Sequence, residues 1–261
     1  MGKKTDIFIE AFNNNYLSFI RRMRIITLLF TVTGAVFSMS PEEILNRVDY
    51  NMTPDSVSYK GEMVIHRGKK EHTKKFIMDA MGAEKSFIEF TYPARDRGTK
   101  YLRNNKNLWI YMPSTSRTMK ISGHMLKESM MGSDISYDDQ TDRNKYNLIY
   151  EGEMLSEDRE NYVLELIRRE GEEAKYYRQI LWIVKENLTI QRGEMYGNSG
   201  KMLKELFVDE VEEIGDRYYI TRFRIDDKLK ADSYTELIMR DIKIDPRISE
   251  STFTLKNLER R

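Results

Sequence analysis

The 261-residue chain contains no cysteine. That absence excludes a disulfide framework, a thiolate zinc site, a cysteine nucleophile and a lipid-modified N-terminal cysteine. Charge of one sign is missing too. Forty-three Lys and Arg stand against 42 Asp and Glu, a net of +1, so no field exists to attract a polyanion and nucleic acid is not an expected partner. The 14 glycines and 5 prolines are scattered, which leaves no collagen-like or linker-like block. No repeat of fixed period is present. What remains, 40% hydrophobic and 33% charged, is the composition of a folded globular chain rather than a disordered tail.

One segment differs in kind from the rest. Arg21, Arg22 and Arg24 precede an apolar run from Ile25 to Phe37, and Val36-Phe37-Ser38 supplies small or β-branched residues at an exit. A basic flank, a short apolar stretch and a small-residue end describe a secretory signal peptide cleaved near Ser38. The run is shorter than the roughly 20 residues a membrane span needs, so a retained anchor is the lesser reading. Met23 is an alternative start to Met1. The expected division is therefore residues 1–38 as extension and signal, and residues 39–261 as one exported domain in the periplasm. Removing 1–38 takes away Lys3, Lys4, Arg21, Arg22, Arg24, Asp6 and Glu10, which leaves 38 basic against 40 acidic side chains.

After the signal, Ser40-Pro41-Glu42-Glu43 carries an N-cap residue, proline at the first helical position and acids in the first turn. A short amphipathic helix over 41–50 follows, with Ile44, Leu45 and Val48 on one face. From Val57 the hydrophobic period changes to two. Strands are expected near 56–66, 73–80, 84–92, 97–104 and 107–112, and again at 145–152, 160–168, 175–184, 188–196, 201–209, 217–226 and 233–244, with Gly-, Asn- and Asp-containing turns between them. Short spacers imply an antiparallel meander. Several strands are apolar on both faces, as in Leu108-Trp109-Ile110-Tyr111-Met112, Tyr177 to Val184 and Leu237-Ile238-Met239, so cover is needed on both sides where few helices exist to provide it. The expected fold is mostly β (α+β): an open antiparallel barrel or half-barrel of about 11 strands, with a few helices over a concave apolar face. An incompletely filled interior and a packed barrel core both satisfy this pattern.

Residues 122–142 are the long departure from strand pattern. Met112, Met119, Met125, Met130 and Met131 place five of the 16 methionines in twenty positions. Methionine adapts to apolar partners of variable shape, so the segment is either a core cap or a lid over an apolar cleft. Leu126 and Met130, four apart, would share a helical face. Next comes Met130-Met131-Gly132-Ser133-Asp134-Ile135-Ser136-Tyr137-Asp138-Asp139. A calcium loop requires alternating oxygen ligands and a closing glutamate, which Asp134, Asp138 and Asp139 do not provide. Asp134 with Asp138 as a catalytic pair lacks a surrounding cleft of aromatics. Ser136-x-x-Asp139 matches a capping box, and Gly132 permits a left-handed backbone, so the reading is architectural.

Leu108 to Ser114, Arg117 to Gly123 and Met131 to Asp139 together resemble, in this order, the outer-membrane lipoprotein-sorting proteins, exported relatives of the LolA periplasmic carrier. Weaker similarity continues through Trp182 to Lys185, Gly200 to Lys204 and Phe253, across the whole mature chain. Ile135 and Asp138 depart from the usual phenylalanine and glutamate. The resemblance implies a structural motif of Gly132, Ser133, Asp134, Ser136, Tyr137 and Asp139, an apolar interior for acyl chains, no catalytic residue, no cofactor and no metal. It further implies lipoprotein acyl chains or free lipid as cargo, an inner-membrane transporter as donor, an outer-membrane acceptor, and a monomeric carrier. The candidate lining set is Phe76, Met78, Phe87, Phe90, Trp109, Tyr111, Met112, Leu126, Met130, Met131 and Trp182, with strand parity leaving the inward member of each alternating pair open. Two other readings stand beside the carrier: a periplasmic sensor that binds lipid and a partner protein, and an envelope hydrolase working through Asp134 and His124.

Overall fold

A computed structural model describes residues 39–141 and 145–260. The signal-peptide and start-site expectations fall on residues 1–38 and lie outside the described residues.

Helix α1 (Pro41–Met52) begins where the local chemistry directs. The Ser40 hydroxyl accepts from the Glu43 N–H at 3.2 Å and the Glu43 carboxylate accepts from the Ser40 N–H at 2.8 Å, a reciprocal capping box. Ile44, Leu45 and Val48 are buried. The helix runs two residues beyond the expected end, to the turn where the Thr53 hydroxyl donates to the Asp49 carbonyl at 2.6 Å.

Thirteen strands follow: β1 (Ser56–Arg67), β2 (Lys70–Met81), β3 (Lys85–Tyr92), β4 (Lys100–Asn104), β5 (Asn107–Met112), β6 (Arg117–Ile121), β7 (Tyr150–Glu157), β8 (Asn161–Arg168), β9 (Arg178–Val184), β10 (Ile190–Tyr196), β11 (Met202–Ile214), β12 (Arg217–Asp227) and β13 (Ser233–Ile244). They form one antiparallel sheet in the order β6-β5-β4-β3-β2-β1-β13-β12-β11-β10-β9-β8-β7. The expected fold class holds, with 13 strands where about 11 were expected. The chain enters at the centre, meanders to the β6 edge, crosses to the β7 edge and meanders back until β13 pairs with β1.

The sheet is strongly rolled. Lys106, in the β4–β5 turn, reaches Glu173, in the β8–β9 loop, at 2.7 Å. Eight strand spacings separate β4 from β9, which would be roughly 40 Å in a flat sheet. Since β6 and β7 are not hydrogen-bonded to each other, the roll is open rather than closed.

This topology fixes the place of residues 122–149. The described residues among them, 122–141 and 145–149, lie between β6 and β7 in the chain, and Met130 and Ile135 pack into the core of the sheet's inner face. The helix expected to carry Leu126 and Met130 on one face does not form. The segment consists of two 3-10 turns (Gly123–Lys127 and Met130–Gly132) and two short helices, α2 (Tyr137–Thr141) and α3 (Tyr146–Ile149). Glu128 and Ser129 are extended, so Leu126 and Met130 share no helical face. The stretch read as a strand over 145–152 begins with α3, because the Asp49 carboxylate of α1 accepts from the N–H groups of Tyr146 at 2.7 Å and Asn147 at 3.0 Å. A 3-10 turn (Glu250–Phe253) and α4 (Leu255–Leu258) close the chain on the outer face of β3–β5.

Candidate functional site

The crossing segment is pinned to the sheet by its motif residues, one by one. Gly132 has φ +81° and Met131 φ +54°, so the backbone reverses there, and Met130 N–H meets the Ile135 carbonyl at 2.8 Å. The reversal carries Asp134 down onto β13. Its carboxylate accepts from the hydroxyls of Thr235 and Ser233, both at 2.7 Å, while its N–H donates to Thr235 Oγ1 at 2.9 Å. Ser133 Oγ lies 2.7 Å from the Met130 carbonyl. Arg67 holds the Gly132 carbonyl at 2.6 Å. Tyr137 places its ring 5.8 Å from that of Tyr101, centroid to centroid.

Asp139 gathers the largest cluster of partners. Lys204 of β11 and Lys175 of the β8–β9 loop converge on its two carboxylate oxygens, Lys175 at 2.7 Å from Oδ1, with the Tyr176 hydroxyl also at 2.7 Å. Ser136 donates its N–H to Asp139 Oδ2 at 2.7 Å. Only this half of the expected capping box forms, because the Ser136 hydroxyl is engaged by Lys175 and the two carboxylates. Burial alone would push the Asp139 carboxyl up. The ammonium groups of Lys204 and Lys175, with their hydrogen bonds, more than offset that and hold it well below the usual carboxylate range. Burial pushes the Lys204 ammonium down, with the second cation, Lys175, adding to the effect against the pull of Asp139.

The eleven candidate lining residues separate into three groups. Phe76, Met78, Phe90 and Met130 are buried in the core cluster of the inner face, and Met112, Leu126 and Met131 pack against it. Phe87 and Tyr111 belong to the outer face, buried with Leu102, Phe253 and Leu258, and Trp109 packs beside them. Trp182 is also outward: its neighbours Leu181 and Ile183 are fully buried, while its ring lies under the Arg192 guanidinium at 4.5 Å. Asp134, proposed with His124 for hydrolysis, is sequestered by β13, and His124 is exposed.

The hollow lies elsewhere, under α1 and α2 and over β10–β13. It has two adjoining chambers. The first, about 230 Å³, is lined by Tyr59, Ile135, Tyr219, Phe223, Leu237 and Met239 among others. The second, about 250 Å³, is more polar and includes Asp49, Tyr146, Tyr150, Tyr176 and Gln179. Met52, Asp139, Leu206, Phe223 and Ile225 line both, so the two adjoin. None of the eleven candidates borders either chamber. The signal that could have found them is the inward alternation Tyr219, Phe223, Ile225 in β12 facing Leu237 and Met239 in β13.

Solved structures share this fold. A DUF1329 family protein from Desulfovibrio piger is similar at 26% identity and TM-score 0.76, over 84% of this chain and 100% of its own. A LolA superfamily protein from Nitrosomonas europaea is similar at 25% identity and TM-score 0.71, over 84% and 100%. An outer membrane lipoprotein-sorting protein domain from Vibrio parahaemolyticus, at 20% identity and TM-score 0.74 over 84% and 98%, shares the fold. No curated protein matches. A family model described as "Uncharacterized protein" matches residues 82–260, from the β2–β3 turn through α4. The chain belongs to that family. Its solved neighbours carry LolA-superfamily and lipoprotein-sorting names, in agreement with the resemblance carried by Leu108 to Asp139. In this chain the pinned crossing segment brings Ile135 and Asp139 to the hollow. Among the described residues no helix is long and apolar enough to cross a membrane.

Proposed function

We propose that the chain is a periplasmic carrier that shelters acyl chains of lipoproteins or other lipids in the hollow under α1 and α2 and moves them toward the outer membrane. The observation that carries this reading is the apolar chamber bounded by Tyr59, Tyr219, Phe223, Ile225, Leu237 and Met239 and roofed by the crossing segment. An acyl chain in water costs about 0.8 kcal/mol per exposed CH₂, so crossing an aqueous compartment needs such a container. Export by the 1–38 segment, an inner-membrane donor and an outer-membrane acceptor belong to the same reading. So does the division into that segment and one domain over 39–261. It assigns the chain no catalytic step.

Two features suit a carrier. Over the hollow, α2 is tied to the sheet by the ion pairs of Asp139, while Met130 and Ile135 keep the preceding residues packed in the core. Met52, Leu206 and Phe223 are half-buried, which leaves the hollow a mouth. The test is lipid extraction and mass analysis of the protein purified from its own cell envelope. A lipid or acylated peptide near unit stoichiometry is expected. Consistent recovery without any apolar ligand would end the proposal.

A further inference from the structure

β12 and β13 run together for only part of their length. Their pairing begins at Asp226 with Tyr234 and ends at Arg222 with Ile238, although β12 reaches back to Arg217 and β13 continues to Ile244. Beyond that last pair the two strands part. On the other side, β11 pairs with β10 only as far as Phe207. Among the described residues, the tip of the β11–β12 hairpin, residues 209–221, is therefore paired with no strand but itself.

The apolar chamber reaches into this gap. Tyr219 and Ile220 both line it, with Met239 of β13. Adjacent residues of a strand point to opposite faces, so a chamber that touches both passes around the free edge of β12. We infer that this gap is the gate of the hollow: a hydrocarbon chain enters and leaves between β12 and β13 as the hairpin tip swings, while the crossing segment stays tied. The inference rests on the carrier reading and supplies its route.

Local structure favours motion at the tip. Register breaks at Val208/Glu210 and Glu210/Val211 on the hairpin, and at Ser58/Lys60 where β1 meets β13; nearby Asp241 takes φ +54°. Bulges bend strands and end pairing, and these stand where β12 and β13 diverge. Thr221, beside the last pair, is buried, and among the described residues its hydroxyl has no partner. Closure thus leaves unsatisfied a polar group that outward motion would return to water.

The end of α1 holds the tip. Asn51 Oδ1 accepts from the Tyr218 N–H at 3.1 Å, the Tyr50 hydroxyl donates to Asp216, and Arg217 donates to the Tyr50 carbonyl. Tyr219 and Ile214 of the tip pack into the inner-face cluster, and Tyr219 borders the chamber that an arriving chain would fill. The roof is held more firmly. Met130 and Ile135 lie in the core, Asp134 is bound to Thr235, and Asp139 is bound to Lys204. Of the two elements that bound the hollow, the one with fewer buried ties opens first.

The absence of cysteine makes the test clean, because introduced pairs are then the only thiols. Ile220→Cys with Arg240→Cys puts one thiol on each lip of the gap. Ser129→Cys with Lys230→Cys puts a pair across the roof, where Lys230 Nζ meets Ser129 Oγ at 2.8 Å. Each pair is joined by a bis-methanethiosulfonate linker and released by reductant, so every sample is its own control. Stopped-flow fluorescence with a dansylated fatty acid reads uptake by the full chain. Linking the lips should stop uptake, with recovery on reduction, and linking the roof should leave the rate unchanged. Tyr50→Phe, which removes one tie of the tip at an exposed side chain, should speed uptake about two- to tenfold, the worth of one hydrogen bond. Uptake that persists with the lips linked, or stops with the roof linked, overturns the gate and leaves the carrier reading standing. So does an unchanged rate in Tyr50→Phe, the check where a linked pair fails to fold. A dansylated fatty acid that the unaltered chain never takes up overturns both.

Discussion

The two halves of the sheet present the same chemistry inward and yet end differently. On β1–β5, Phe76, Phe90, Tyr101 and Met78 interlock with Met130 and Ile135 of the crossing segment, with ring centroids 5.5 Å apart for Phe76–Phe90 and 5.9 Å for Phe90–Tyr101. On β10–β13, the equally apolar Leu206, Phe223, Ile225 and Leu237 face a hollow. What differs is the roof. Over the first half it delivers methionine and isoleucine side chains into the gaps. Over the second it delivers Asp139, bound to Lys204 of β11 and to Lys175 and Tyr176 of the β8–β9 loop, and a helix whose Asp49 and Asn51 are spent on capping and on the β9–β10 turn. An apolar inner face thus becomes a core or a container according to whether the opposing side chains are apolar or ionically engaged.

The contrast can be broken most directly by truncating an aromatic on each side. Phe90 is fully buried, so Phe90→Ala should cost about 4 kcal/mol in denaturant unfolding. Phe223 is half-buried beside space that already exists, so Phe223→Ala should cost about 1 kcal/mol. Comparable losses from the two would mean that the second half is packed as tightly as the first. The next largest effect concerns the roof. Asp139→Asn removes the carboxylate that Lys175 and Lys204 share and leaves only Asp138, 3.0 Å from Lys175, as a counter-charge there, and about 3 kcal/mol should be lost in the same measurement. The pH dependence has a definite sign. The Asp139 carboxyl is held below its ordinary value of 3.8 in the folded chain, so its contribution is whole above that pH and lost as pH falls below it. Melting temperatures should therefore drop more steeply for the native chain than for Asp139→Asn between about pH 2 and 4.

Much of the sheet was legible. The period-two pattern located twelve of the thirteen strands, and the bounds of β5 and β13 agree with it residue for residue. The missing one, β6, has Arg117, Met119 and Lys120 exposed and only Ile121 buried, so as an edge strand it carries almost no alternation to detect. Helix α3 was read as strand because its start is capped by Asp49, about a hundred residues earlier, and no local signal reports that. The Gly132-to-Asp139 motif announced a turn but not its anchors on Thr235 and Lys204. The lining was the least legible part. Clustered methionines and tryptophans drew attention to the filled half and the outer face. A hollow, by contrast, is set by what an opposing element fails to supply, and a strand's own residues do not encode that.

Glycine offers the finest probe of the contrast, since it tests for space without removing any contact. Gly61 in β1 lies in the filled half. A Cβ built there would stand 2.1 Å from Cζ of Phe76, a ring that is 4% exposed and wedged between Tyr59 and Phe90. The ring has nowhere to go, so Gly61→Ala should cost about 2 kcal/mol through overpacking. Gly193 in β10 lies by the hollow. Its Cβ would meet the Leu181 methyl at 3.3 Å, which asks that methyl to shift by a few tenths of an ångström, and would stand in ordinary van der Waals contact with Leu206 Cβ and the Met195 methyl at 3.7 Å. Steric cost there is small, and alanine loses less backbone freedom than glycine on entering a strand, so Gly193→Ala should be neutral or stabilising by up to about 0.5 kcal/mol. Thermal unfolding of the two variants in parallel decides the matter. A loss at Gly193 as large as that at Gly61 would show that the second half has no slack, and the chambers could then admit no hydrocarbon without prior opening of the roof.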